Sequence, residues 1–268
     1  MRHRKRVLLI AATTGYQTRM FLDAAEGLGY EAVLATDRCH VLDDPWGDQA
    51  LPLRFEDPEA SVAAVSGLAR VDGLVALGDR PAAIAALIAH SLGLPFHSIE
   101  AVTVCRDKYL TRSKFQAAGL AVPDFYRLAL DHDPAAAALE APYPCVLKPL
   151  GLSASRGVIR ANDQREFRDA FLRIHDLLDS PDIRRLHDEH DRYIQVESFI
   201  PGREFALEGI VSAGQLHVIA LFDKPDPLDG PFFEETIYVT PSRSGPAIQN
   251  AIRFTTERAV QALGLTHG

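Results

Sequence analysis

The chain has 268 residues, with 28 Lys plus Arg against 36 Asp plus Glu and a formal net charge of −8. That balance argues against a sequence-independent nucleic-acid binder, which neutralises phosphates with a basic surface. Hydrophobic residues at 47% and charged residues at 24% are globular proportions, and the length favours two units or one composite domain.

The basic start, MRHRKR, reads as a solvated lead-in to the first strand, since no apolar stretch with a cleavage site follows it. VLLIAA is too short to span a bilayer. RVLLIAA reads as a buried strand, TRMFLDAAEGLG as a helix closing on glycine and EAVLAT as a second strand. After a polar, turn-rich stretch come the helix DPEASVAAVSGLAR, the strand VDGLVALG and the helix RPAAIAALIAHSLG. Continuous apolar strands between helices predict a parallel sheet covered on both faces, a Rossmann-like layer over residues 1–100. Its first strand-to-helix turn, AATTGYQTR, offers only Gly15 where a dinucleotide fingerprint wants three glycines. Asp37 stands where the ribose acid would belong, but the missing glycines disfavour a nicotinamide or flavin oxidoreductase.

The texture changes near 97–105. VCRDKYLTRSKFQAAGLAVPDF, 104–125, predicts an amphipathic helix stopped at Gly119 and a strand entered at LAVPDF; PAAAALEAP reads as a short helix or linker, so 101–142 forms a connecting helical segment. Strands follow at 144–149, 156–161, 192–198, 203–212, 215–222 and 232–240, with helices at 163–179 and 245–263. This predicts an α+β unit distinct from the first layer. The cysteines, Cys39, Cys105 and Cys145, show no C-x-x-C or zinc-finger spacing, which suits a reducing, cytoplasmic compartment. HDEHD at 187–191 sets His187 and His190 three apart, yet its charged surroundings favour a solvated helix end or loop over a metal site.

One corner carries chemistry. In CVLKPLGLSASRGVIR, 145–160, Lys148 ends an apolar run and a loop of small residues returns to a second one. Backbone N–H groups reach phosphate oxygens only where side chains do not intervene, hydroxyls add donors and an ammonium adds charge. Gly151, Ser153, Ser155 and Gly157 meet that description. The lysine precedes the glycines and the loop joins two strands, so this is no Walker A loop. A hairpin whose glycines merely turn the chain is the alternative.

With Lys108 in RDKYLTRSKFQAAGLAVP and two acids in YIQVESFIPGREFALEGI, the combination and its order resemble the ATP-grasp superfamily of carboxylate–amine ligases, in its biotin-carboxylase-like and L-amino-acid-ligase-like members. FDKPDPLDGPFFEETIYVTPS, 222–242, strengthens the ligase-like reading. The resemblance spans essentially the whole chain. It implies a pre-ATP-grasp layer, a small lobe over 143–200 and a partial large lobe over 201–268.

The resemblance implies that Lys108 and Lys148 reach the α- and β-phosphates of ATP under a flap running from Gly151 to Gly157. Glu197 resembles the acid that accepts from the adenine amino group, with the main chain of Ser198, Phe199 and Ile200 reading the adenine edge. Glu204 resembles the ribose acid, and Lys224 a further cation pointed at the γ-phosphate. Residue by residue, plainer readings stand beside these. Lys108 would be a solvated charge, Glu197 the polar face of a strand, Glu204 half of an ion pair and Lys224 part of an ordinary turn.

The family also uses Mg²⁺, held by acids late in the large lobe. Glu234 and Glu235 fall in a strand too early for that role, so the ligands are expected beyond residue 268 and the chain reads as C-terminally truncated. The implied activity is activation of a carboxylate as an acyl-phosphate for attack by an amine, giving an amide and ADP. The alternative is a nucleotide-binding module without turnover. The implied partners are ATP and a small carboxylate/amine pair, with no nucleic acid and no membrane.

Overall fold

The computed structural model describes residues 4–13, 15, 17–37, 50–185, 188–234 and 236–268. The chain divides into two compact units, Met1–Thr103 with Thr266–Gly268, and Val104–Leu265.

In the first unit the elements run β1 (Arg6–Ala11), α1 (Thr18–Gly27), β2 (Glu31–Thr36), β3 (Leu51–Pro52), α2 (Pro58–Ser66), β4 (Gly73–Leu77) and α3 (Asp79–Leu92), and α4 (Ile99–Arg106) leads into the second unit. The sheet is parallel in the order β3-β2-β1-β4, with Leu8 between Val33 and Leu74. Because successive side chains alternate, Leu8 and Ile10 pack with Val65, Ile84 and Ile88 on one face, while Leu9 and Ala11 pack with Leu34 and Leu77 on the other. Burial on both faces is why the strands read as unbroken apolar runs. α3 closes on Gly93 at φ 63°, the left-handed stop its terminal glycine predicts. Asp37 is spent inside this unit: Oδ1 accepts from the Thr13 N–H and hydroxyl, both at 2.7 Å, and Oδ2 from Arg80 at 3.0 Å.

The second unit continues with α5 (Lys108–Ala117), β5 (Phe125–Ala129), α6 (Pro134–Glu140), β6 (Cys145–Pro149), β7 (Ile159–Ala161), α7 (Gln164–Leu178), α8 (Pro181–Arg184), β8 (Tyr193–Ser198), β9 (Glu204–Ser212), β10 (Gln215–Lys224) and α9 (Pro246–Leu263). Aspartates start several helices. Asp57, Asp107, Asp133 and Asp163 accept from Ala60, Leu110, Ala135 and Glu166 N–H at the heads of α2, α5, α6 and α7. One antiparallel sheet runs β5-β8-β6-β7, and β9 with β10 forms a second.

α7 buries Phe167, Ala170, Phe171, Ile174 and Leu178, the three-and-four spacing of a helix lying on a core. Against them pack Cys145 and Leu147 of β6 and Ile194 and Val196 of β8. Alternation therefore sends Val146, Lys148, Gln195 and Glu197 to the opposite face. Buried Cys145 is an inert packing thiol, its pKa pushed up to about 12 by burial. Cys39 lies outside the described residues.

The strand expected over 232–240 does not form among the described residues. Phe232 bridges Ile159 and Val239 bridges Asp223, each singly. The prolines at 225, 227 and 231 keep the approach to this segment out of a ladder, and Phe232, Ile237 and Tyr238 stay about half exposed. Among the described residues no helix is long and apolar enough to cross a membrane.

Phe167 is fully buried and meets Tyr143 edge to face at 6.4 Å. Phe167→Ala should cost the second unit about 3–5 kcal/mol through the lost burial and the cavity left behind, measured as the shift of its urea transition. A shift under about 1 kcal/mol would mean that this cluster is not the unit's core.

Candidate functional site

The site is built on the face of the β5-β8-β6-β7 sheet turned away from α7. Lys148 stands directly opposite Gln195 across β6 and β8, and Val146 opposite Glu197. Glu197 is 3% exposed and is met by three donors. Lys148 Nζ reaches Oε2 at 2.6 Å. Arg112 Nε reaches Oε1 at 2.8 Å and its Nη2 reaches Oε2 at 3.3 Å. Gln195 Nε2 donates to Oε1 at 2.5 Å.

Burial pushes the Glu197 carboxyl up, but the Arg112 hydrogen bond and the Lys148 and Arg112 charges outweigh it and hold it at about 2. Burial draws the Lys148 ammonium down while Glu197 draws it back up, with the net shift downward. Two cations thus face one carboxylate, a local surplus of positive charge at a site with little water. Arg112 and Gln195 were not singled out from the sequence. The signal for Arg112 was its position one turn after Lys108, which places both on one face of α5. Gln195 offered only strand alternation with Glu197.

Lys108 lies at the mouth of the loop. Its Nζ donates to the carbonyls of Leu150 at 2.9 Å and Leu152 at 2.6 Å. A Cβ at Gly151 would lie 3.1 Å from His190 Cβ, so that histidine packs on the glycine. Ser153 and Ser155 are exposed within the loop, and Ala154 and Ser155 take left-handed φ of 55° and 54°. Gly157 has φ +73°, and a Cβ there would sit 2.9 Å from Pro149 Cγ. It turns the chain and admits Pro149, a packing reason for glycine beside the phosphate one.

Beneath the loop, His190 Nδ1 and Asp188 Oδ1 are 2.5 Å apart, His190 Nε2 is 3.4 Å from Asp107 Oδ2, and Arg106 donates to Asp188 at 3.0 Å. The His190 hydrogen bond holds Asp188 at about 2, and the same bond raises the imidazole above its usual value. Burial lifts nearby Asp191 to about 6. His190 is thus occupied by carboxylates, and His187 lies outside the described residues. Among the described residues no group of three or more His, Cys, Asp or Glu could hold a metal ion.

The turn after β8 is partly committed. Ser198 N–H donates to Asp124 O and Phe199 N–H to Pro144 O, each at 2.9 Å, while Ile200 is 61% exposed. On the β9–β10 hairpin, Lys224 and Glu204 are direct register partners with Nζ and Oε1 2.5 Å apart, and the ammonium stands 5.3 Å from the Tyr238 ring centre. Next to them Asp223, another residue not singled out from the sequence, accepts from Ser242 Oγ at 2.5 Å and Arg243 N–H at 2.8 Å, tying the approach to α9 onto β10. Glu234 lies in no strand but lines a cavity of about 1100 Å³ with Arg173, Phe232 and the loop residues 154–159. Glu235 is outside the described residues. Lys148 and Glu197 do not line that cavity.

The structure therefore brings together Lys148 with Glu197, Lys108 with the start of the loop, and Glu204 with Lys224. Such a set, a buried carboxylate with surplus cations beside a small-residue loop, suits a polyanion with a hydrogen-bonding base.

Comparisons with known proteins give the same direction. Residues 141–268 match the model of the ATP-grasp domain. Alanine–anticapsin ligase of Bacillus subtilis (strain 168) is 29% identical over 187 residues, 65% of this chain and 39% of the relative. D-alanine–D-alanine ligase of Laribacter hongkongensis (strain HLHK9) is 25% identical over 179 residues, 65% of this chain and 54% of the relative. The crystal structure of L-amino acid ligase from Bacillus licheniformis superimposes with a TM-score of 0.80 at 28% identity, covering 100% of this chain and 64% of that one. The chain thus spans about half or less of the length of these two curated relatives.

A carboxyl held below its unfolded value contributes stability above that value and loses it as pH falls toward the folded one. Stability of the second unit should therefore decline between about pH 4.5 and 2. Glu197→Gln should make that decline shallower without abolishing it, because Asp188 titrates in the same window. At pH 7 the variant should lose about 3–5 kcal/mol, since two cations are left facing no carboxylate. Urea midpoints across pH measure both effects, and an acid limb identical to the parent's would deny Glu197 its part in it.

Proposed function

We propose that this chain, whose residues 141–268 match the ATP-grasp domain, binds ATP to drive amide formation between a small carboxylate and an amine. The small lobe, 143–200, and the large-lobe segment, 201–268, hold the nucleotide between them. Lys148 and Lys108 take the α- and β-phosphates, and Lys224 takes the γ-phosphate. Gly151, Ser153, Ser155 and Gly157 form the covering loop. Glu197 accepts from the adenine amino group, the main chain of Ser198, Phe199 and Ile200 runs along the base edge, and Glu204 accepts from the ribose hydroxyls, which a carboxylate can do twice.

The observation that carries this reading is the surplus cation at Glu197. An ammonium whose burial draws its pKa down, on a flexible stem beside a second cation, is stabilised when an anion arrives. Lys108 and Lys224 rest in the same way on protein oxygens, the carbonyls of Leu150 and Leu152 and the carboxylate of Glu204. Each would exchange protein oxygens for those of a phosphate.

ATP would supply the phosphoryl group. A substrate carboxylate oxygen bonds to the γ-phosphorus as ADP leaves, and the amine nitrogen then bonds to the acyl carbon as phosphate leaves, shedding its proton to give the amide. Positioning and neutralisation of charge account for most of the acceleration in phosphoryl transfer, and these are what lysines and loop N–H groups provide. Mg²⁺ would accompany the nucleotide on ligands that the described residues do not assemble. The substrate class is drawn from relatives named as alanine–anticapsin and D-alanine–D-alanine ligases.

Lys148→Ala should weaken ATP binding by about 1.5–3 kcal/mol, the range for a hydrogen bond to a charged group, as measured by calorimetry on the folded variant. Unchanged affinity would remove Lys148 from the phosphate site. ATP should also bind more tightly than GTP, because guanine would set a carbonyl oxygen against the Glu197 carboxylate and leave two buried acceptors opposed. Equal affinities in a competition titration would rule out the base-reading role of Glu197.

A further inference from the structure

Gln195 is fully buried, yet only one end of its amide is paired. Nε2 donates to Glu197 Oε1, while Oε1 of Gln195 lies inside with no hydrogen-bond partner among the described residues. A buried acceptor left unpaired is costly. Turning the amide over would help nothing, because its oxygen would then face the carboxylate. Glu197 holds the amide in an expensive orientation, and the amide in return fixes one lobe of Glu197.

The donors around Glu197 differ in how readily they can leave. Arg112 grips both carboxylate oxygens with a planar fork. Gln195 sits two residues away on the same strand and cannot withdraw. Lys148 makes a single contact through a four-carbon stem that permits other directions. Charge points the same way. With Lys148 present, two cations face one carboxylate; with Lys148 turned to an anion, Arg112 and Glu197 remain matched one to one.

We propose that Gln195 and Arg112 are positioning residues for base recognition, holding the Glu197 carboxylate ionised and correctly aimed at the adenine amino group while Lys148 moves between that carboxylate and phosphate. This deepens the nucleotide reading above and rests on it. Neither residue touches the nucleotide. Both act through Glu197, so their removal changes which base is preferred more than how strongly phosphate is held.

The test titrates the full chain and its variants with ATP, GTP and inorganic tripolyphosphate. Gln195→Leu is close in volume and removes the unpaired acceptor together with the donor. It should lower the ATP-to-GTP affinity ratio about tenfold, the loss of one hydrogen bond to a charged group, with tripolyphosphate affinity and the urea midpoint maintained. Arg112→Lys keeps the charge but not the fork and should lower the ratio by a smaller factor, and Arg112→Gln by at least as much as Gln195→Leu. Arg112 is partly exposed, so its variants decide the matter should Gln195→Leu not fold. A ratio unchanged in the folded variants overturns the positioning role while leaving Lys148 and Glu197 in theirs. Equal losses for all three ligands would mean general damage to the pocket and overturn it as well. A parent chain that prefers neither nucleotide removes the base-reading role of Glu197, and the positioning role with it.

Discussion

The second unit is organised around one buried carboxylate that must be kept charged. Glu197 lies on β8, Lys148 on β6 and Arg112 on α5, so a single acid fixes the relation of three elements that lie far apart in sequence. Removing a carboxylate from water is tolerable only where donors replace the lost hydration, and here three do. Position follows from that requirement. α5 has to lie across the face of the sheet opposite α7, and Asp107 starts that helix where both Lys108 and Arg112 point toward the site.

Lys108, Lys148 and Lys224 all rest on oxygen atoms of the protein, two on carboxylates and one on carbonyls. Arg112 holds both oxygens of Glu197 with a rigid fork, whereas Lys148 reaches it with a single ammonium on a flexible stem. Arg112 and Lys148 therefore hold the same carboxylate in different ways. Lys108 fixes the start of the loop through the carbonyls of Leu150 and Leu152.

Much of this was legible in the sequence, in proportion to how local its cause is. The apolar runs that become β1, β2 and β4 follow from burial on both faces, and α7 from its spacing of Phe167, Phe171, Ile174 and Leu178. Lys148 and the small-residue loop stood out because glycine and serine beside a lysine suit a phosphate, although a plain hairpin would use the same residues. Arg112 and Gln195 did not, because each is defined by a partner 85 or 2 residues away whose orientation only the folded sheet supplies. The segment 232–240 misled for a different reason. Its β-branched and aromatic residues favour a strand, but among the described residues it meets its neighbours only through single bridges to Ile159 and Asp223 in place of a ladder. Asp223 was hidden by the turn-like sequence that follows it, although its carboxylate ties down Ser242 and Arg243.

Gly157 has a bearing on how this protein can diversify. Its left-handed backbone and the pressure of Pro149 against it anchor one end of the loop, and His190 against Gly151 anchors the other. The stretch 153–156 lies between these contacts and beyond the carbonyls that Lys108 holds, so a change there disturbs the sheet least. Variation in the loop's length or surface chemistry therefore falls most easily in those few positions, as in a hinge-bound panel whose frame is shared and whose surface alone is repainted.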